Sequence, residues 1–215
     1  NQNVFRASLI IDSRSGGSRE QVAEAKFLRA LSTYWIVDFY GQAPFRTPDE
    51  GPDVNPSVKT RAEAVEFAIQ DLTDALADLP TSGPSASLNR ATKAAARMLL
   101  AKIYLNKHIF TGTATADVSD MNKVIEMVDA IKSDGFALQT GYFDIFKEDL
   151  DTETIFFTTS EVGNRIWNTL HYNQNAPGND GGGWNGFTTL SEFYDLFEGD
   201  ANENYVGSGQ EERRG

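Results

Sequence analysis

The stretch from Ser18 to Tyr40, SREQVAEAKFLRALSTYWIVDFY, constrains the fold of this chain more than any other. Ala23, Phe27, Ala30, Leu31, Tyr34, Val37 and Asp38 recur at steps of three and four, so one stripe of an α-helix carries most of the apolar side chains. Ser18 and Gln21 have the spacing of a capping box, in which each side chain satisfies an orphan backbone amide. Gly41 can take the positive φ of a helix stop, and Pro44 forbids continuation. Tyr34, Trp35, Phe39 and Tyr40 crowd the end of the stretch, which therefore needs a large partner surface. A helix with this face does not stay soluble alone, so the rest of the chain must supply its neighbours.

Further helices are legible. Residues 3 to 12 are apolar-rich and suit the end of a helix, and SRSGGS reads as a turn. Thr60 with Glu63 repeats the capping-box spacing, and Val65, Ala68, Ile69, Leu72, Leu76 and Leu79 form one face up to Pro80. Asn89 is the expected N-cap of ATKAAARMLLAKIYLNKHIF. Its Ala91, Ala94, Ala95, Met98, Leu99, Ala101 and Leu105 give a narrow side that lets a neighbour approach closely. Asp117 or Ser119 opens another helix, with Met121, Val124, Ile125, Val128 and Ile131 expected inward and Gly135 at its end. Between the first two long helices, Pro44, Pro48, Pro52 and Pro56 rule out helix and favour an extended surface connection.

Helices of similar length in two consecutive pairs predict a mainly α fold, with tetratricopeptide-like stacked helix hairpins over residues 1–135. Their starts, near 19, 60, 91 and 117, do not keep a strict period of about 34 residues. Beyond Gly135 the character changes. FALQ and TIFFTT suggest short strands, YFDIF a helical turn, and Thr188 or Thr189 the cap of a short helix LSEFYDLF. Residues 136–215 are thus expected as a loop-rich, partly β C-terminal lobe. The chain starts within a helical pattern and ends at RRG without a closing element, as a piece of a longer polypeptide would.

Composition excludes several functions. With 19 Lys and Arg against 31 Asp and Glu, the net charge is −12, which repels phosphate backbones and anionic lipid and argues against nucleic-acid binding. The absence of cysteine excludes disulfides, thiolate zinc sites and cysteine nucleophiles. Two histidines, His108 and His171, are too few for a histidine-rich metal site. No run approaches a membrane span, and the first residues lack a signal-peptide pattern. No cofactor is expected.

The segment from Val162 to Phe187 has no period and gathers rings and amides: Trp167, His171, Tyr172, Trp184 and Phe187 among Asn164, Asn168, Asn173, Gln174, Asn175, Asn179 and Asn185. Long loops of this kind are usually functional or disordered. Flat rings present apolar faces to the C–H faces of a sugar, while planar amides donate to and accept from its hydroxyls. The alternative is that Trp184 and Phe187 pin a glycine-rich loop to the core. Glu148, Asp149, Asp151 and Glu153 lack the glycine and final glutamate of an EF-hand and read as a solvated acidic turn. Gly181 to Gly183 read as hinge or close-approach positions, and His108 as a cation suited to a helix C-terminus.

Three segments, EAKFLRALSTYWIVDFYGQAPF, NRATKAAARMLLAKIYLN and GGWNGFTTLSEFYDLFE, taken together and in order, resemble the SusD-like (RagB/SusD) family of surface glycan-binding lipoproteins of the outer membrane. The resemblance implies a mostly helical fold on tetratricopeptide-like pairs and no enzymatic activity. It implies non-catalytic capture of oligosaccharides or polysaccharides at the cell surface and their delivery to a TonB-dependent (SusC-like) transporter. Membrane attachment would come only through a lipid anchor outside this chain. Where the family has a D-x-R turn, this chain reads GDANENYVGSGQEERRG, an insertion before Arg213. The glycan contacts expected are Trp167, Tyr172, Trp184, Asn164, Asn168 and Asn185. Trp184 and Asn185 belong to the shared GWNG pattern and also suit a scaffold role. The other readings are a helical-repeat scaffold for a protein partner and, more distantly, a glycosidase with paired carboxylates.

Overall fold

The computed structural model describes residues 2–158 apart from 52, 86, 142–143 and 146–150, together with Trp184 and residues 189–196. The chain divides into two compact units, residues 1–158 and 159–215. The first is an array of helices: α1 (Gln2–Ile11), α2 (Arg19–Tyr40), α3 (Arg61–Ala75), α4 (Lys93–Thr111) and α5 (Val118–Ser133). Each packs chiefly on the helix before and the helix after it in sequence. The mainly α fold expected from periodicity is borne out.

Local chemistry explains where these helices begin. At α2 the Ser18 hydroxyl accepts the Gln21 N–H at 3.2 Å while the Gln21 side chain accepts the Ser18 N–H at 2.9 Å. Thr60 and Glu63 repeat the reciprocal pair at α3, and Asp117 caps α5 by accepting the Ser119 N–H. Gly41 ends α2 with φ 71°, its N–H donating to the Val37 carbonyl at 2.8 Å. Thr92, not Asn89, caps α4, its hydroxyl accepting the Ala95 N–H at 3.2 Å. Turns at residues 87–89 precede it, and the Lys93 N–H is held by the Pro80 carbonyl at 2.9 Å.

The proline-spaced connection is more ordered than an extended surface segment. Its ends pair as β1 (Gln42–Phe45) and β2 (Ser57–Thr60), antiparallel, with Ala43 opposite Lys59 and Pro44 opposite Val58. Pro44 is tolerated because each strand of a two-stranded sheet keeps one unpaired edge.

The core is centred on Phe27, Val37, Val65, Leu72 and Ile103, all under 2% or at 2% exposed, with alanines 30, 64, 68, 75, 95 and 96 between the helices. Two faces differ from expectation. Leu105 is 50% exposed, because α4 is gripped by α3 on one side and α5 on the other, so its buried arc centres on Ala96, Leu100 and Ile103. In α5, Met127 and Ile131 are buried and Val124 packs on the core, but Ile125 and Val128 are exposed. α5 packs mainly on α4 and so has one covered stripe.

Phe136 and residues 155–157 pack back on the helices. Phe136 joins Leu88, Ala94 and Ile131 in a smaller cluster, and Phe156 meets Phe27 edge to face at 5.3 Å. FALQ and the described part of TIFFTT are not strands. The Ala137 N–H reaches the Thr152 carbonyl at 3.0 Å, but Asp151 takes the N–H groups of Glu153 and Thr154, the donors that a ladder would require. Of YFDIF, residues 142, 143 and 146 lie outside the described residues. In the second unit α6 (Ser191–Tyr194) is short, and Leu190, which provides no side-chain cap, precedes it in place of Thr189; Thr188 lies outside the described residues.

Candidate functional site

Of the glycan contacts expected from sequence, Trp184 falls among the described residues and is 60% exposed. Asn164, Trp167, Asn168, Tyr172 and Asn185 lie outside them, as do His171, Phe187 and Gly181 to Gly183. The acidic turn is described at Asp151 and Glu153. Asp151 accepts the Thr154 hydroxyl at 2.8 Å and Glu153 accepts the Gln139 N–H at 2.9 Å, so both carboxylates serve the turn itself. Backbone N–H bonding from Thr154 holds the Asp151 carboxyl below the usual carboxylate range. Among the described residues no group of His, Asp and Glu is arranged to hold a metal ion. The Nδ1 of His108, near the end of α4, is buried without a hydrogen-bond partner among the described residues.

A second set of rings stands at the C-terminal end of α2. Helical periodicity turns Phe27, Ala30 and Val37 into the core and places Trp35 and Phe39, one turn apart, on the other side. Trp35 is 49% exposed, Phe39 70% and Tyr40 77%. The expectation that the whole aromatic end would be covered is thus corrected. Only Tyr34 is packed in, its ring 6.1 Å from Phe110 of α4. Burial first, then the charge of Asp38, pushes the Tyr34 hydroxyl above its ordinary range.

These rings form an ordered ladder. Tyr34 meets Trp35 edge to face at 5.7 Å, Trp35 and Phe39 stack at 5.7 Å with 18° between their planes, and Phe39 leans on Tyr40 at 6.4 Å. Two charged groups stand near the same end of α2. Asp38 is exposed between Trp35 and Phe39 in sequence, and the exposed Arg61 sets its guanidinium 2.9 Å from where a Cβ on Gly41 would stand. Neither has an ion-pair partner among the described residues. The sequence signal for this ladder was its aromatic density, read as calling for a partner surface; the periodic stripe took in Tyr34 and left out Trp35, Phe39 and Tyr40.

Residues 9–105 match the SusD-like family model described as starch-binding and associating with the outer membrane. Over this stretch the chain is similar to SusD-like proteins. The chain is 32% identical over 133 residues to the starch-binding protein SusD of Bacteroides thetaiotaomicron, covering 61% of this chain and 22% of that protein. A SusD-like protein of Bacteroides ovatus is 27% identical over 129 residues, 59% of this chain and 23% of its own. The chain spans about a quarter of the length of the curated relatives it matches. Its fold is that of SusD-like structures. Surface glycan-binding protein A of B. thetaiotaomicron, in complex with laminarihexaose, superposes with a TM-score of 0.67 at 21% identity, over 92% of this chain and 45% of that one. A laminarin-binding SusD-like protein gives 0.59 at 20% identity, over 72% and 35%. Among the described residues, no helix is long and apolar enough to cross a membrane.

Proposed function

We propose that this chain is part of a cell-surface protein that binds oligosaccharides or polysaccharides without cleaving them and passes them to a TonB-dependent, SusC-like transporter in the outer membrane. The observation that carries the reading is the match of residues 9–105 to a family described as starch-binding and outer-membrane-associated. Relatives named for starch and laminarin binding support it. Attachment to the membrane in this reading is through a lipid anchor. In this reading residues 1–135 are a tetratricopeptide-like support and 136–215 a loop-rich lobe that brings Trp167, Tyr172 and Trp184 to the C–H faces of sugar rings. Asn164, Asn168 and Asn185 then bond the hydroxyls.

The test is a glycan array of α- and β-linked glucans and xyloglucan fragments, followed by titration calorimetry on whatever binds. Trp167→Ala with Tyr172→Ala should lower affinity about tenfold or more while leaving the melting temperature within a degree or two, the scale expected when ring contacts to a ligand are lost. Unchanged affinity sinks these residues as contacts. A protein that binds no glycan on the array favours the second reading, a helical scaffold for a protein partner. Val118, Ile125 and Val128 support that reading, since they leave an exposed apolar stripe along α5. Release of reducing sugar would show cleavage.

A further inference from the structure

The ladder on α2 is more than stray hydrophobic surface. Single exposed apolar residues are ordinary, but Trp35, Phe39 and Tyr40 are contiguous, ordered against one another and exposed together. Their anchorage is firm. Val37 beneath them is 1% exposed, Tyr34 is wedged against Phe110, and Gly41 fixes the end of the helix. The rings are therefore held in place before any ligand arrives, which removes part of the ordering cost of binding.

The charged groups at this end point to the class of ligand. A partner helix is met by aliphatic side chains along one stripe, as α5 presents at Val118, Ile125 and Val128, seven and three residues apart. The end of α2 presents rings, with a carboxylate at Asp38 and a guanidinium at Arg61 whose hydrogen-bonding capacity no described ion pair uses. A carboxylate accepts from two hydroxyls, and the fork of an arginine donates to two neighbouring oxygens. Rings for C–H faces beside heads for vicinal hydroxyls are the complement of a pyranose. We propose that the Trp35–Phe39–Tyr40 ladder, with Asp38 and Arg61, is a saccharide contact carried by α2 in addition to the one in residues 164–185. The inference rests on the glycan-binding reading above and extends it to a second place on the chain.

Three tryptophans make a direct test possible. In the full chain carrying Trp167→Phe and Trp184→Phe, Trp35 is the sole tryptophan, and its fluorescence is followed while maltoheptaose or laminarihexaose is added. A saturable change in emission, abolished by adding Phe39→Ala and weakened by Arg61→Gln, is the expected result. If the unaltered chain binds either sugar by calorimetry while Trp35 emission stays constant, the ladder is not a saccharide contact and the glycan-binding reading stands without it. If the unaltered chain binds neither sugar nor any array glycan, both fall. If Trp35→Ala with Phe39→Ala leaves sugar affinity unchanged but alters the mass of the protein in solution, the ladder is a protein-packing surface and the inference is overturned.

Discussion

Arg29 of α2 and Asp71 of α3 form a two-pronged ion pair. Nε meets Oδ2 and Nη2 meets Oδ1, each at 2.7 Å, with the side chains only 11% and 5% exposed. The remaining arm, Nη1, donates to Ser8 of α1 at 3.0 Å, and the guanidinium lies 4.8 Å from the centroid of Phe67 and 5.9 Å from that of Phe45. One side chain thus ties three helices and β1. With the geometry this complete, the desolvation of both charges is offset by bidentate bonding.

Breaking this pair from one side leaves a buried charge with no counterpart. Arg29→Met is expected to destabilise the chain by about 3–5 kcal/mol in urea denaturation, whereas Arg29→Met with Asp71→Leu costs much less. Equal losses in the single and double variants would show that packing, not the stranded carboxylate, dominates.

Gly41 separates two effects in one position. Its φ of 71° disfavours any side chain, and a Cβ there meets the Arg61 guanidinium at 2.9 Å. Gly41→Ala should cost about 1–2 kcal/mol from the left-handed backbone alone. Because Arg61 is exposed and can swing aside, adding Arg61→Ala should recover little of that loss in thermal melts. Substantial recovery would place the cost in the steric clash.

Acid should weaken the helical unit through its caps. Hydrogen bonds from the Arg14 side chain and backbone draw the Asp12 carboxyl down to about 2. Thr60 lowers Glu63, Lys26 lowers Asp74, and Ser119 lowers Asp117. A carboxyl depressed in the folded state contributes its full stabilisation above the unfolded value, near 4, and loses it as pH falls through the folded value. The melting temperature should therefore hold between about pH 7 and 5 and decline below about 4. Asp117→Asn should start lower and flatten that decline.

The small side of α4 permits close helix packing, and filling it is costly. Ala96 is fully buried, so Ala96→Leu is expected to cost about 1–3 kcal/mol by overpacking. Leu105→Ala, on the exposed side of the same helix, should stay within about 0.5 kcal/mol by chemical denaturation.

That contrast also shows what the amino-acid sequence could and could not reveal. The Ser18–Gln21 and Thr60–Glu63 boxes depend on residues three apart, so their consequence is local and legible. Asn89 offered an equally good cap in isolation; Thr92 took the role because the Pro80 carbonyl holds the Lys93 N–H, a contact that crosses a loop. The inward faces of α4 and α5 depend on how many neighbours each helix has, which periodicity does not record. Asp151 diverted backbone donors from a ladder that β propensity alone suggested. For the site, ring and amide density marked the segment after Val162, while the ladder at Trp35 and Phe39 was visible as composition and became a surface only once α2 had a fixed orientation.

Phe156 rests edge-on against Phe27, although the two lie far apart along the chain. Helices that each lean on the next can dock one after another during synthesis, but Phe27 gains its contact with Phe156 only when the chain has grown past α5. Closing so wide a loop is entropically slow. This ring contact therefore belongs to the last part of the unit to be made, and a nascent chain halted before that point would lack the side chain that meets Phe27.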